Sequence, residues 1–596
     1  MPKLGAGQTS SPRPAMNTPS PDTSGTPDTA APLDPRALHA AGRHAEALAA
    51  LDALLQHDPA NLAALHLAAR CLHALDNAKT ANDANTATDG TSPELANALL
   101  PLGNRFYARK QLAQAEHAWR AALAIEPDWP SALGNLGLVL RDLGRMAEAE
   151  AALRRALELA PNHAGSRSNL ALLLWGTQRL DEAHAEYRRI LAHDADNHYA
   201  LNNLGLLLLD LNRQPEAEAA FRHALAVEPN VPEAHNNLGN ALNQQARTDE
   251  AIDAYRQALA LRPDYTVAKG NLAMLLLRNG QYADAWPLYE ARHDEAVGPS
   301  AVKLPPLPWP HWSGEPLDGK SIIVWPEQGY GDDLQFCRYV TLLKARGAAR
   351  VSVACGPALG RLFESLENVD AVYPLDGQGT IARHDYWCFM MSLPLRFGTT
   401  VETIPAPMPY LRANAALAQT WRARLDAECH HAGPKAGFKV GLVWAGAPRP
   451  QDLRSNAIDQ RRSTRACDWL PILRVPGVRF VSLQKGETTQ PQILELPPEL
   501  RPLDPMDEVH DFADTAAIVD TLDLVITVDT SMAHLAGALG KPVWILSRYD
   551  ACWRWLRERD DSPWYPRARL FQQRAPGEWS EVIERVARAL EALRKE

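Results

Sequence analysis

The residues Asp529-Thr530-Ser531-Met532-Ala533-His534 follow an apolar run, Leu-Asp-Leu-Val-Ile-Thr-Val, and precede Leu535-Ala536-Gly537-Ala538-Leu539-Gly540-Lys541-Pro542. Thr530 and Ser531 are helix-capping types. Ala533, Ala536, Gly537 and Gly540 keep one side of such a helix slim, and Gly540 with Pro542 ends it. A helix that starts where a parallel strand ends points backbone N–H groups and its positive dipole end outward, which suits an anion such as a diphosphate. His534, one turn in, could reach the same anion. The same spacing also fits a plain helix cap with a packed histidine, and it leaves both readings open.

Two further groups could join such a site. In Trp325-Pro326-Glu327-Gln328-Gly329-Tyr330-Gly331-Asp332-Asp333, a strand meets a helix through two glycines. Asp332 and Asp333 stand at the helix start, either as a general base or as acids that complement the dipole. After the apolar run Val440–Trp444, Gly446 opens a stretch with Arg449, Arg454, Arg461, Arg462 and Arg465; Lys485 follows the next apolar run. Fixed cations stabilise an expelled diphosphate, and Arg462 and Lys485 are the residues chosen for that role. A solvated basic loop is the alternative. The aromatic stretch 550–566 could border a donor sugar; packing of a last helix, 578–594, is the reading adopted for it.

The 529–538 stretch resembles the nucleotide-sugar motif of glycosyltransferase family 9, the heptosyltransferase-like family. Asp529, Thr530, His534, Leu535 and Ala538 match its Asp-Thr-x-x-x-His-Leu-x-x-Ala pattern. The resemblance implies that Thr530, Ser531, Met532, Ala533 and His534 hold the donor diphosphate and that Asp529 orients the loop or contacts the donor. Gly331-Asp332 resembles the family's Gly-Asp turn, which implies Asp332 as catalytic base with Asp333 as competitor. The implied fold is GT-B, two Rossmann-like halves with a cleft between them.

The elements that must position these residues are parallel strands. From Lys320, short β-branched runs alternate with helical segments, which signals α/β architecture. Strands are expected at 322–325, 351–354, 371–373, 386–389 and 410–411, then at 440–444, 480–483, 524–528 and 543–546. A break around 413–438 separates an acceptor half, 320–420, from a nucleotide-sugar half, 436–596. Pro-rich residues 299–319 form an extended linker.

Upstream the period changes to 34 residues. Prolines fall at Pro59, Pro93, Pro127, Pro161, Pro229 and Pro263, with Ala195 in the skipped place. Asn135, Asn169, Asn203, Asn237 and Asn271 keep the same step, as do Ala115, Ala149, Ala183, Ala217, Ala251 and Ala285. Such a repeat is a helical hairpin that buries its apolar face only when stacked. Gly or Ala two residues after each Asn faces the alanine series, so that backbones approach closely. This pattern resembles tetratricopeptide repeats over 32–298, starting near 96, 130, 164, 198, 232 and 266, with an earlier hairpin at 34–61 and a polar loop at 76–92. The last unit departs: Pro287 falls in its second helix, and Arg292 stands where Ala122, Ala156, Ala224 and Ala258 stand. The asparagine series resembles the ladder of O-linked N-acetylglucosamine transferase, which implies peptide capture by amide side chains.

Composition bounds the reading. The chain of 596 residues has a net charge of −10 and no basic block, which argues against nucleic acid as a partner. Residues 1–31 are Pro/Ser/Thr-rich and read as a disordered tail rather than a signal peptide. No apolar run approaches the ~18 residues of a membrane span, so a cytoplasmic protein is expected. Seven scattered cysteines without a Cys-x-x-Cys pair read as free thiols, not a zinc framework. The only Asp-x-Asp, Asp194–Asp196, lies in a repeat, so a metal-independent hexosyl- or heptosyltransferase is expected, with a nucleotide sugar as co-substrate and no other cofactor. The acceptor is either a protein held by the repeats or a glycan or lipid-linked saccharide. A non-catalytic scaffold is the third reading.

Overall fold

The computed structural model describes residues 34–77, 93–377, 379–429, 437–447 and 453–595. The expected tail 1–31, most of the polar loop 76–92 and Arg449 lie outside them, as does the side chain of Arg454. The chain forms two compact units, one up to Leu207 and one from Leu208.

The first unit is built of antiparallel helix pairs: Pro35–Ala40 with His44–His57, Pro93–Ala108 with Leu112–Ile125, Pro130–Asp142 with Met146–Leu159, and Ala164–Gly176 with Leu180–His193. Leu62–Asn77 is a single helix between the first two pairs. First helices begin at 130, 164, 198, 232 and 266 as expected; the one expected at 96 begins at Pro93. Each hairpin turns through one left-handed residue: Lys110, Gly144, Gln178, Asn212, Ala246 and Gly280, again 34 apart. Glycine holds this conformation without strain, yet the register imposes it on Lys110, Gln178 and Ala246 as well.

Three first-helix glycines meet a bulky side chain first, with the expected alanine behind it at Gly137, whose Cβ would also lie 3.2 Å from the Ala149 carbonyl oxygen. A Cβ on Gly103 would fall 2.3 Å from the Trp119 ring, one on Gly137 2.5 Å from Leu153, and one on Gly239 2.6 Å from the Tyr255 ring. The glycines make room for a bulky side chain one turn beyond the alanines. That series is Trp119, Leu153, Tyr187, Phe221 and Tyr255, all buried. The alanine series itself is fully buried, so both registers are needed to close each pair.

The second unit holds the later repeats, Pro232–Gln244 with Thr248–Leu261 and Thr266–Arg278 with Tyr282–Tyr289, and the α/β part. Two all-parallel sheets form it. The first contains β1 (Ser321–Trp325), β2 (Arg350–Cys355), β3 (Ala371–Pro374) and β4 (Tyr386–Phe389), in the order β3-β2-β1-β4. The second contains β5 (Phe438–Val443), β6 (Val478–Ser482), β7 (Leu524–Val528), β8 (Val543–Ser547) and β9 (Ala568–Gln572), in the order β6-β5-β7-β8-β9. An α-helical solenoid of repeats followed by an α/β fold with two parallel sheets is what the sequence predicts.

Three local expectations differ. Tyr410–Leu411 is not a strand; both N–H groups donate to the carbonyl of Ala538 at the end of a helix. β9 has an alternating Ala-Arg-Leu-Phe-Gln pattern too short to stand out. The expected break at 413–438 contains a 15-residue helix, Ala415–Cys429. Asn414 caps it by accepting from Ala416 and Leu417, and Trp421 and Leu425 are buried.

The last repeat pair is a joint. Tyr282 and Trp286 pack against Trp553, with Tyr282 also against Trp564. The Trp564 indole donates to Tyr282 Oη at 3.0 Å and that of Trp286 to the Thr399 carbonyl at 2.9 Å. The aromatic stretch 550–566 therefore packs on this pair and on Phe336, not on the last helix, Trp579–Lys595, whose apolar face belongs to a separate cluster around β5 and β7.

Candidate functional site

β7 is buried along its length and delivers Asp529 and Thr530 to the carboxyl edge of its sheet. Thr530 is the N-cap of the helix Ser531–Ala538: its hydroxyl accepts from Met532 N–H at 3.3 Å and lies 3.1 Å from the Thr527 hydroxyl. Ala533 N–H donates to the Thr530 carbonyl at 3.1 Å. The cap thus occupies two donors that the family resemblance assigns to a diphosphate. Ser531 is half-buried, whereas Met532, Ala533 and His534 are buried.

Gly331 stands across from this helix start. A Cβ there would lie 3.0 Å from His534 Cδ2 and 3.6 Å from Ser531 Cα, so the Gly-Asp turn and the helix start face each other in near contact. His534 is held between them and a buried wall. Its Nδ1 is 3.0 Å from Tyr565 Oη, and its ring stacks on Trp555 at 5.3 Å and 15°. Burial, with Arg554, Arg338 and Arg462 nearby, holds its imidazole well below the ordinary histidine value. A neutral histidine with one nitrogen bound to a phenol is a positioning group rather than a cation for phosphate.

The two aspartates divide. Asp332 Oδ2 accepts from Gly329 N–H at 3.2 Å, which closes the helix start, and Oδ1 is ion-paired with Arg554. Asp333 points into the core at 3% exposure. Burial first, then the charges of Asp332 and Glu327, raise its carboxyl well above the ordinary range. Arg554 also donates to Gln335 Oε1 at 2.7 Å and lies over the Trp553 ring at 4.5 Å. Sequence reasoning grouped Arg554 with packing residues; its pairing across 222 positions has no local signature.

Arg462 is brought to the helix start. Its Nη1 donates to the Asp529 carbonyl at 2.8 Å, its Nη2 pairs with Asp459, and Gly446 passes so close that a Cβ would meet Nε at 2.9 Å. Lys485 stands at the end of β6 with Nζ bonded to the Val509 carbonyl. With β5 between β6 and β7, strand spacing puts it about 10 Å away. Gln484, which the sequence did not flag, ties the loop between them: it accepts from Trp444 and Ala445 N–H and donates to Ala445 and Lys485 carbonyls.

One imbalance runs through the junction. Arg462 Nε, Gln335 Nε2 and Trp555 Nε1 are buried donors without an acceptor among the described residues. Arg338, fully buried, donates to neutral acceptors: the Gln335, Pro405 and Trp564 carbonyls and the Tyr410 hydroxyl. Buried polar groups are ordinarily satisfied, so an excess of donors marks a place that an acceptor-rich group would complete. Cavities of about 320 and 350 Å³ lie elsewhere, lined by residues between Pro161 and Asp194 and between Asp560 and Ala589.

Gly537 on this helix is a sensitive position. A Cβ would come 2.3 Å from the Tyr565 ring, which is itself held by His534. Gly537→Ala is expected to lower stability by about 1–3 kcal/mol through overpacking, read as a lower denaturant midpoint. An unchanged midpoint would mean that Tyr565 is free to move.

The asparagine series is engaged within the repeats. Asn135 Nδ2 donates to Asn104 Oδ1 at 2.9 Å and Asn169 Nδ2 to the Gly134 carbonyl at 3.3 Å. In the second unit Asn271 Nδ2 donates to Asn236 and Asn240, and Asn237 is buried with Oδ1 accepting from Asn236. Asn203 is half-buried.

Comparison with known proteins bears on the repeats. Tetratricopeptide repeat family models match residues 130–196, 168–226 and 232–265. Protein FlbA of Caulobacter vibrioides is 30% identical over 338 residues, covering 53% of this chain and 54% of that protein, so the match spans about half the length of this curated relative. Among solved structures, the chain is similar to pilF of Pseudomonas aeruginosa (19% identity, TM-score 0.30, 34% of this chain and 92% of that one). It is also similar to a thermophilic tetratricopeptide repeat protein of Thermus thermophilus (24% identity, TM-score 0.29, 30% and 99%). The 34-residue hairpins over 130–265 are therefore tetratricopeptide repeats.

Proposed function

We propose that the α/β part is a glycosyltransferase of GT-B type that moves a sugar from a nucleotide-diphosphate donor to an acceptor hydroxyl. The observation that carries this reading is the convergence of three arginines and of unpaired buried donors around Thr530–His534. Arg338, Arg462 and Arg554 all act on His534, and the acid of the Gly-Asp turn, Asp332, is tied to Arg554. A diphosphate supplies acceptors for the unpaired donors, and fixed guanidinium groups need little reorganisation to stabilise it as a leaving group. Asp332 takes the proton of the acceptor hydroxyl. The acceptor oxygen then bonds to the anomeric carbon as the carbon–oxygen bond to the diphosphate breaks, with inversion. The repeats favour a protein acceptor, since stacked hairpins present an extended surface for a chain.

The test is thermal unfolding of the full chain with uridine, guanosine and adenosine diphosphate sugars. One donor should stabilise the second unit, by about 2.7 kcal/mol at a hundredfold excess over Kd, and the bare nucleoside should not. Arg462→Ala should remove most of that gain. Absence of stabilisation by every donor would favour a scaffold whose α/β part binds no nucleotide sugar.

A further inference from the structure

The first helical hairpin carries a cluster unrelated to the α/β site. His39 lies in the last turn of Pro35–Ala40 and His44 opens His44–His57. The left-handed turn at Gly42, φ 74°, brings them together, with ring centroids 4.8 Å apart and planes tilted by 56°. Cys71 comes from the helix Leu62–Asn77 and is fully buried. His39 Nδ1 is 3.0 Å from His44 Nδ1 and 3.2 Å from Cys71 Sγ, and all three ligand atoms lie within 4.8 Å of one another.

Hydrogen bonds cannot satisfy this convergence. A ring nitrogen carries either one proton or one lone pair, so His39 Nδ1 can serve only one of its two neighbours fully. Two imidazoles and a thiolate are ligands for zinc. Bonds of about 2.0–2.1 Å to nitrogen and 2.3 Å to sulfur in a tetrahedron separate ligand atoms by roughly 3.3–3.6 Å. The two separations from His39 Nδ1 are within a few tenths of an ångström of that edge.

We propose that His39, His44 and Cys71 bind one zinc ion that clips the first hairpin to the helix Leu62–Asn77, with water as the fourth ligand. Both histidines are half-buried, so solvent reaches the open position. Binding exchanges the Cys71 S–H bond for a Zn–S bond, the proton passing to solvent, and displaces water from the ion. The six-residue opening helix is too short to be stable alone. Among the described residues this hairpin has a repeat on one side only. A bond network joining three helices supplies what packing there does not.

The experiment uses the full chain, stripped with a chelator under reducing conditions and titrated with cobalt(II) and then zinc(II). One equivalent of cobalt should give intense tetrahedral visible bands and a thiolate-to-cobalt charge-transfer band, both bleached by zinc. Cys71→Ser should lose the charge-transfer band, and His44→Gln should weaken binding by at least about tenfold. Should either variant fold poorly, hydrogen exchange on the native chain decides: zinc should slow exchange within residues 35–77 and leave 320–595 unchanged. No charge-transfer band in the native chain, a band that survives Cys71→Ser, or protection confined to other residues would overturn the assignment.

Discussion

Asp332→Asn should lower sugar transfer by about 10²–10⁴-fold while leaving donor binding nearly unchanged. The expectation follows from where the two neighbouring acids stand. Asp332 lies at the helix start, half-buried, opposite Ser531 across the Gly331 turn. Its hydrogen bond from Gly329 and its pairing with Arg554 fix the carboxylate at the turn, which orients a base. Asparagine preserves the Gly329 contact but cannot take a proton. Asp333 is buried in the core, away from any acceptor hydroxyl, so Asp333→Asn should have a far smaller effect on transfer. Initial-rate assays with the donor found by thermal shift separate the two. Equal losses from both variants would show that the turn acts structurally and that the base lies elsewhere.

How much of this was legible in the sequence depended on the range over which each feature repeats or pairs. The repeats were readable because one register recurs every 34 residues, so several weak preferences add at the same position. The parallel strands were readable where apolar β-branched runs are buried on both faces, as in β7; β9, with Arg569 exposed on one side, carries a weaker pattern. Thr530 as cap and Arg462 as neighbouring cation follow from local chemistry at a strand end. Arg554, Gln335 and Arg338 do not, because their roles come from contacts across tens to hundreds of positions. The same reason hid the His39–His44–Cys71 cluster: the cysteine pattern alone gives no pair, and the ligands come from three helices. The asparagine series shows the converse. Its spacing is real, and at Asn135, Asn169 and Asn271 the amide nitrogen donates to a neighbouring helix, contacts that the spacing alone does not reveal.

Arg292→Ala, which restores the residue found in other repeats, should destabilise the second unit by about 3–5 kcal/mol. In four of the five preceding repeats this position is a buried alanine that lets helices approach, Ala122, Ala156, Ala224 and Ala258, and in the other it is the buried Ile190. After the last repeat the chain meets β1 instead of another hairpin, and Arg292 reaches Glu327. Arg292 Nε and Nη2 bond Glu327 at 2.8 and 3.0 Å, His293 Nε2 lies 3.2 Å from it, and Met391 N–H donates at 2.9 Å. The Glu327 side chain has no exposure. Burial pushes its carboxyl up, but the His293 hydrogen bond and the charge and hydrogen bonds of Arg292 outweigh that and hold it below the ordinary range. A carboxyl depressed in the folded state binds fewer protons there than in the unfolded chain. Its contribution is therefore complete above the unfolded value and is lost as pH falls through the folded one. Without Arg292 burial dominates, the carboxyl rises, and the deficit should be greatest at neutral pH and narrow on acidification. Adding Glu327→Gln to Arg292→Ala removes the stranded charge and should recover part of the loss. Urea unfolding of the native chain, both single variants and the double variant at neutral and acidic pH measures each term. A deficit independent of pH, or a double variant no more stable than Arg292→Ala, would mean that lost packing rather than the buried charge sets the effect.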